Sequence, residues 1–256
     1  MCFCFGSTRV DVELVPSPGR TNVLGWIRGG KNVIIVCESH LDTVPELNEL
    51  CTFDIRGGKI CGRGACDTKA SGAAMITAMQ TLAQNVPFDY RPTMVFAGVI
   101  DEEAMMTGAI ALLPILASAD MVIVGESTEL LPLRAHSGIL RFNVTVIGET
   151  AHSAIANAGI NAIGYASQII FNFEQYRTLL LKHAFHQLTG QGTFTLTHIT
   201  GGVATNDEVC ARFRGEAVVA SVAMFCTDAS VFSGESDIPC IILGRGSIAQ
   251  AHVPGE

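Results

Sequence analysis

The chain has 256 residues, is 48% hydrophobic and 16% charged, and carries a net charge of −8 with no cluster of lysine or arginine. That balance excludes a disordered chain and argues against a nucleic-acid or anionic-membrane surface. No apolar run reaches the roughly 18 residues of a membrane span, and the opening MCFCFGSTRV lacks the basic start and long apolar core of a signal peptide.

In chain order, NVIIVCE (32–38) reads as a continuous buried strand, and KASGAAMITAMQTLAQ (69–84) has helical length and spacing. TMVFAGVI (93–100) is a second buried strand, EAMMTGAIALLPILAS (103–118) a second helix, and MVIVGE (121–126) a third strand. Strands that are apolar throughout belong to a mostly parallel sheet with helices on both faces, an α/β architecture. Near residue 137 the pattern changes. SGILRFNVTVIGET sets Leu140, Phe142, Val144 and Val146 on one face, and GTFTLTHIT (192–200) alternates in the same way. A helix within 161–184 completes a small α+β insert. PCIILG (239–244) then resumes the buried-strand style. The division expected is a catalytic domain of residues 1–133 and 215–256 and a lid of residues 134–214.

The nine cysteines are odd in number, form no Cys-x-x-Cys pair, and several lie inside apolar runs. Reduced thiols of a cytoplasmic protein account for them better than a disulfide framework.

Acids and histidines collect at the ends of the buried strands. His40 and Asp42 follow the first, Asp101, Glu102 and Glu103 the second, and Glu126 the third, while Asp67 and His252 sit on neighbouring loops. In open α/β sheets, sites form beyond the carboxyl ends of strands. Carboxylates buried together repel one another, and a divalent cation removes that penalty. Imidazoles with carboxylates suit zinc, and a shared carboxylate suits two metals. Asp42 is placed to accept the proton of the non-ligating nitrogen of His40. Simpler readings stand beside these. His-x-Asp also describes a surface loop, Glu102–Glu103 a solvated helix start, and Asp67 a helix N-cap.

Six segments carry a resemblance: SHLDTVP, GRGACDTKASGAA, DEEAMMTGA, VIVGES, GETAHSA and GRGSIAQAHVPGE. In this order, over residues 11 to 256, they resemble the di-zinc amidohydrolase and peptidase family, which includes acetylornithine deacetylase, succinyl-diaminopimelate desuccinylase, carboxypeptidase G and the aminoacylases. The wording is most similar to the acetylornithine deacetylase-like branch. The resemblance implies a zinc exopeptidase-like fold and two Zn2+, with Co2+ or Mn2+ as substitutes. It implies that His40 and Glu126 hold one metal, Glu103 and His252 the other, and that Asp67 bridges them. Glu102 becomes the general base, Asp42 the residue that orients His40, and His152 a lid histidine for the substrate carbonyl, acting across a homodimer formed through the lid. The substrate implied is a small N-acylated amino acid or peptide, cleaved at an amide bond; a dipeptidase or carboxypeptidase is an alternative within the family.

The sequence also departs from the family pattern. It starts almost inside the second strand and stops soon after the last histidine, and the lid text is short. Asn206 stands for the asparagine of an Asn-x-x-Pro turn without its proline, and Arg212 and Arg214 are candidates for the arginine that meets the substrate carboxylate. Ala156 replaces a proline after the lid histidine, and Arg245 replaces the proline of Gly-Pro-Gly-Ser. The metal ligands are all present while substrate recognition is altered, so a weakly active or non-catalytic metal-binding relative is the competing expectation.

Overall fold

The computed structural model describes residues 2–5, 8–17, 19–45, 53–149, 151, 158–202, 212–221 and 226–252. They form two compact units, Met1–Ala135 with Thr227–Glu256, and His136–Cys226.

The first unit contains β1 (Cys2–Phe5), β2 (Thr8–Ser17), β3 (Arg20–Ile27), β4 (Ile34–His40) and the short hairpin β5 (Asp54–Arg56) and β6 (Lys59–Cys61). These are followed by α1 (Ala70–Asn85), β7 (Thr93–Val99), α2 (Thr107–Leu116) and β8 (Met121–Val124). The second unit holds β9 (Gly138–Ile147), α3 (Ala162–His183), β10 (Phe185–His186), β11 (Gly190–Gln191), β12 (Thr195–Gly201) and β13 (Arg212–Ser221). The chain then returns to the first unit with α4 (Ala229–Ser236) and β14 (Cys240–Ile242). The expected boundary at 214/215 falls inside β13. That strand pairs along its whole length with β9, from Arg212 opposite Ile147 to Ser221 opposite Gly138, so the second crossing comes after it.

The main sheet runs β1-β2-β3-β7-β4-β8-β14. β2, β4, β7, β8 and β14 point one way and β1 and β3 the other. The first three strands form an antiparallel margin of this sheet, β3 pairing with β7. Apart from Glu38, Ser39 and His40 at the end of β4 and Thr93 at the start of β7, the parallel half is apolar, as strands covered on both faces are. Adjacent residues on a strand face opposite sides. Ser39 of β4 meets Gly72 of α1, where an added Cβ would lie 2.9 Å from the Ser39 oxygen, while Glu38 faces Asp228 ahead of α4. Val10, Ile27, Met79, Ala83 and Met94 form one cluster under α1.

Register levels the strand ends. His40 lies opposite Val99, and Glu38 opposite Val124, so the residues just after β4, β7 and β8 emerge along one edge. α2 begins later than its sequence pattern suggests. Asp101 and Met106 adopt left-handed backbone at φ 69° and 55°, and the Asp101 carbonyl accepts the N–H groups of Met105 and Met106 at 3.1 and 2.7 Å. Residues 102–105 are therefore a tight turn, and the Thr107 hydroxyl donates to the Asp101 carboxylate at 2.7 Å.

In the second unit, β12-β13-β9 form an antiparallel sheet, and α3 lays Phe173 between Phe142 and Phe194 at ring separations of 6.0 and 5.2 Å. Asn161 caps α3, its side-chain oxygen accepting from Ile163 and Gly164 at 3.0 and 3.3 Å. Phe142, Val144 and Val146 take the covered face as their alternation predicts, whereas Leu140 is exposed. No helix among the described residues is long and apolar enough to cross a membrane.

Candidate metal centre

His40 is buried at the end of β4. Its Nε2 lies 2.9 Å from Oδ1 of Asp67, and its Nδ1 lies 3.1 Å from the backbone carbonyl oxygen of Asp42. The Asp42 carboxylate stands 3.7 Å from Nδ1, too long for a hydrogen bond. The division of labour thus differs from the simplest sequence reading. Asp42 holds the imidazole through its main chain and uses its carboxylate elsewhere, accepting the backbone N–H groups of Glu102 and Glu103 at 3.3 and 3.2 Å.

Asp67 sits in the irregular turn Ala65–Lys69 that leads into α1. It is not the cap of that helix, whose N-cap position is Lys69. Its second oxygen, Oδ2, lies 3.1 Å from Nε2 of His252, which in turn lies 3.2 Å from Oε1 of Glu103. One buried carboxylate is therefore shared by two imidazoles from opposite ends of the chain. Glu102 and Glu103 lie in the turn after β7 and not in a helix, with Glu102 buried and Glu103 half-buried. Glu126 is buried just beyond β8. Among the described residues, the group whose donor atoms all lie within 4.8 Å of one another is His40, Asp67 and Glu103; Glu126 and His252 stand outside it.

The electrostatics follow from this crowding. Burial acts against charge on His40, but Asp42 and Asp67 prevail and its pKa is pushed up to about 12. Asp67 and Glu103 raise His252 to about 10. Burial favours the neutral form of Asp67, yet the two imidazoles hold it well below the ordinary carboxylate range. Burial pushes Glu102 up to about 8, with Asp228, Glu103 and Asp67 adding to the shift, and burial also pushes Glu126 upward, with Glu102 next. Acids and imidazoles packed this closely keep their balance only by retaining protons. A divalent cation would take the place of those protons, and a nitrogen-and-oxygen donor set is of the kind that zinc, cobalt or manganese accepts. The residues fit such an ion.

Glu38 and Asp228 belong to the same surroundings, and no pattern in the sequence singles them out. Both are buried, and burial raises both, Asp228 to about 7. Neither oxygen of Asp228 nor Oε1 of Glu38 meets a donor, so the contact between the two acids becomes a hydrogen bond once one of them carries a proton. Asp228 lies in TDAS, which reads as an ordinary helix entry; only its burial marks it out.

Of the remaining expected residues, His152 and Asn206 lie outside the described residues. Arg212 and Arg214 lie on β13, opposite Ile147 and Thr145 of β9 in the second unit. Arg245 is exposed, and its backbone N–H donates to the Ser71 hydroxyl at 3.3 Å.

Comparison with known proteins adds a second line. The model of peptidase family M20/M25/M40 matches residues 36–256. Acetylornithine deacetylase of Photorhabdus laumondii is 31% identical over 213 residues, covering 79% of this chain but only 54% of that protein, so the chain spans about half its length. Acetylornithine deacetylase of Salmonella arizonae is 30% identical, covering 98% of this chain and 83% of that protein. That alignment runs over 328 positions, more than the chain contains, so a sizeable internal segment of the relative has no counterpart here. Among solved structures, a tripeptidase from Staphylococcus aureus aligns with a TM-score of 0.68 at 20% identity, covering 92% of this chain and 80% of that one. A metallo-carboxypeptidase from Sulfolobus solfataricus aligns with a TM-score of 0.65 at 16% identity, covering 90% and 67%. These two likenesses speak for the fold.

Proposed function

The chain belongs to peptidase family M20/M25/M40, and from that premise we propose that it is a metal-dependent amidohydrolase acting on a small N-acylated amino acid, in the manner of acetylornithine deacetylase. The observation that carries the proposal is Asp67, whose two oxygens face His40 and His252 separately, as a carboxylate shared between two cations would. In this reading, His40 and Glu126 would hold one Zn2+, Glu103 and His252 the other, with Asp67 available to both; Co2+ or Mn2+ would be substitutes.

Bound cations would supply polarisation of the amide carbonyl and acidification of water. The other steps fall to the chain. Glu102, buried beside the donors and held by its backbone on Asp42, takes the proton of the attacking water and delivers it to the departing amine. Asp42 keeps both the His40 imidazole and the Glu102–Glu103 turn in place. His152, Asn206, Arg212 and Arg214 are assigned to substrate through the family resemblance. The free thiols of Cys37, Cys61, Cys66 and Cys240 suit a reducing, cytoplasmic setting. Exposed Tyr165, Phe171 and Leu179 on α3 suit a homodimer through the second unit.

A weakly active or non-catalytic metal-binding protein is the second reading, favoured by the internal segment that the Salmonella relative has and this chain lacks. One experiment separates them. Purified protein, stripped with chelator and reloaded with zinc or cobalt, is assayed on a panel of N-acetyl amino acids and dipeptides. Metal-dependent release of a free amine supports the hydrolase; metal uptake without turnover supports the second reading.

A further inference from the structure

Cys66 precedes Asp67, and none of the roles above uses it. Its backbone carbonyl accepts the Ser127 hydroxyl hydrogen at 3.1 Å. Its Sγ lies 3.3 Å from that same hydroxyl oxygen and 3.7 Å from the carbonyl oxygen of Ser247. A serine hydroxyl has one hydrogen, here directed to the carbonyl, and the thiol likewise has one, which the Ser127 hydroxyl oxygen and the Ser247 carbonyl share as alternative acceptors. Gly246 shows how closely the sulfur is packed: its φ is 87°, and a Cβ built there would run into Sγ. Three segments meet at this side chain: the turn carrying Asp67, the segment after Glu126, and the loop that leads to His252.

We propose that Cys66 is a positioning residue that sets the spacing between Asp67 and the loop delivering His252, and so tunes the cation on the His252 side of the centre. The inference rests on the metal-centre reading above. Its selectivity follows from which contacts a truncation removes. Alanine at 66 keeps the backbone carbonyl, and with it the tie to Ser127; Thr68, through its hydroxyl on the Gly125 carbonyl, also continues to hold the Glu126 side. What alanine loses is the sulfur seated on Gly246 and Ser247. The loop would remain fastened to the Glu126 segment by Glu129 N–H on the Gly246 carbonyl at 2.7 Å, but more loosely to the Asp67 turn.

The test is equilibrium titration of the full chain with Co2+, followed by the visible absorption of the bound ion, for the unsubstituted protein, Cys66→Ala and Cys66→Ser. Circular dichroism and thermal midpoints check the fold. Outer contacts of this kind commonly change metal affinity about 10–100-fold. The expected result is one ion bound as in the unsubstituted protein and a second bound about 10-fold or more weakly in Cys66→Ala. Cys66→Ser, which keeps a donor on a shorter arm, should fall between them. Identical binding of both ions in Cys66→Ala, or equal weakening of both, overturns the inference and leaves the metal-centre reading standing. An unsubstituted protein that binds no cobalt overturns both. If the alanine variant does not fold, the serine variant decides by the same comparison: selective weakening of the second ion supports the role, and unchanged binding overturns it.

Discussion

The carboxylate of Asp42 accepts the backbone N–H of Glu103 at 3.2 Å, although the two residues follow different strands, β4 and β7. With the matching bond from Glu102 at 3.3 Å, this fixes the turn that presents both glutamates. Asp42→Asn would place an amide donor against one of those N–H groups. Metal affinity should fall about 10–100-fold, the usual cost of disturbing an outer contact. A cobalt dissociation constant equal to that of the unsubstituted protein would show that the turn holds itself.

Glu102→Gln keeps the size of the side chain and the backbone bond to Asp42, but removes its ability to accept a proton. Turnover should drop about 10²–10⁴-fold. Metal content, measured by elemental analysis, should stay near that of the unsubstituted protein. Parallel loss of metal and turnover would make Glu102 a ligand instead.

His40→Ala and His252→Ala should each cost about one of two bound ions, with the second retained. The histidines approach different oxygens of Asp67, so removing one leaves the other pairing intact. Asp67→Ala should cost both. Equal stoichiometry in all three variants would rule out a shared carboxylate.

The metal-free protein should lose stability as pH rises from about 5 to 9. Glu102 and Asp228 have folded pKa values raised to about 8 and 7, so the folded state holds protons that the unfolded chain has released above its ordinary acid range. His40 and His252, raised to about 12 and 10, hold theirs above the ordinary imidazole value. Both effects have the same sign: extra protons bound in the fold mean stability lost with rising pH, by up to about 1.4 kcal/mol per pH unit for each proton. Asp67 and Asp42, held low, act oppositely and only toward acid. Thermal midpoints of chelated protein should fall across this range. Zinc-loaded protein, whose ligands have surrendered their protons, should show a shallower dependence or the reverse.

Asn22 offers a check on the fold itself. It is buried on β3, donating to the Gly108 carbonyl at 3.0 Å and accepting the Ile100 N–H at 3.0 Å. It thereby joins the antiparallel margin to α2 and to the residue before the Asp101 turn. Asn22→Ala strands both partners and should cost about 1–3 kcal/mol. Urea unfolding monitored by circular dichroism measures it.

The sequence was informative where a pattern is local. Continuous apolar runs marked β4, β7 and β8, and the alternation of Phe142, Val144 and Val146 marked β9. It was poorer where tertiary cover decides. β2 and β3 carry charged and polar residues such as Asp11, Glu13, Arg20 and Asn22, so their place in the main sheet is not written in hydrophobicity. The delayed start of α2 depends on left-handed backbone at Asp101 and Met106, which no periodicity reveals. His40 and Glu103 were legible as groups at strand ends, and Asp67 and His252 as groups on the neighbouring loops, because acids and imidazoles rarely gather there without cause. Glu38 and Asp228 were not, since a strand glutamate and an aspartate before a helix are ordinary until both prove buried.

The insertion of the second unit between β8 and β14 has a consequence for biosynthesis. Val122 and Ile123 of β8 pair with Cys240 and Ile241, so that margin of the sheet stays open until the later strand has been made. At about 5–20 residues per second, the wait is on the order of ten seconds. Throughout it, an apolar strand with free backbone groups faces the crowded interior of the cell, a template for pairing with another nascent chain. Slower translation through residues 136–226 should lengthen that exposure, and holdase chaperones that shield open strand edges should matter most for this protein during that interval.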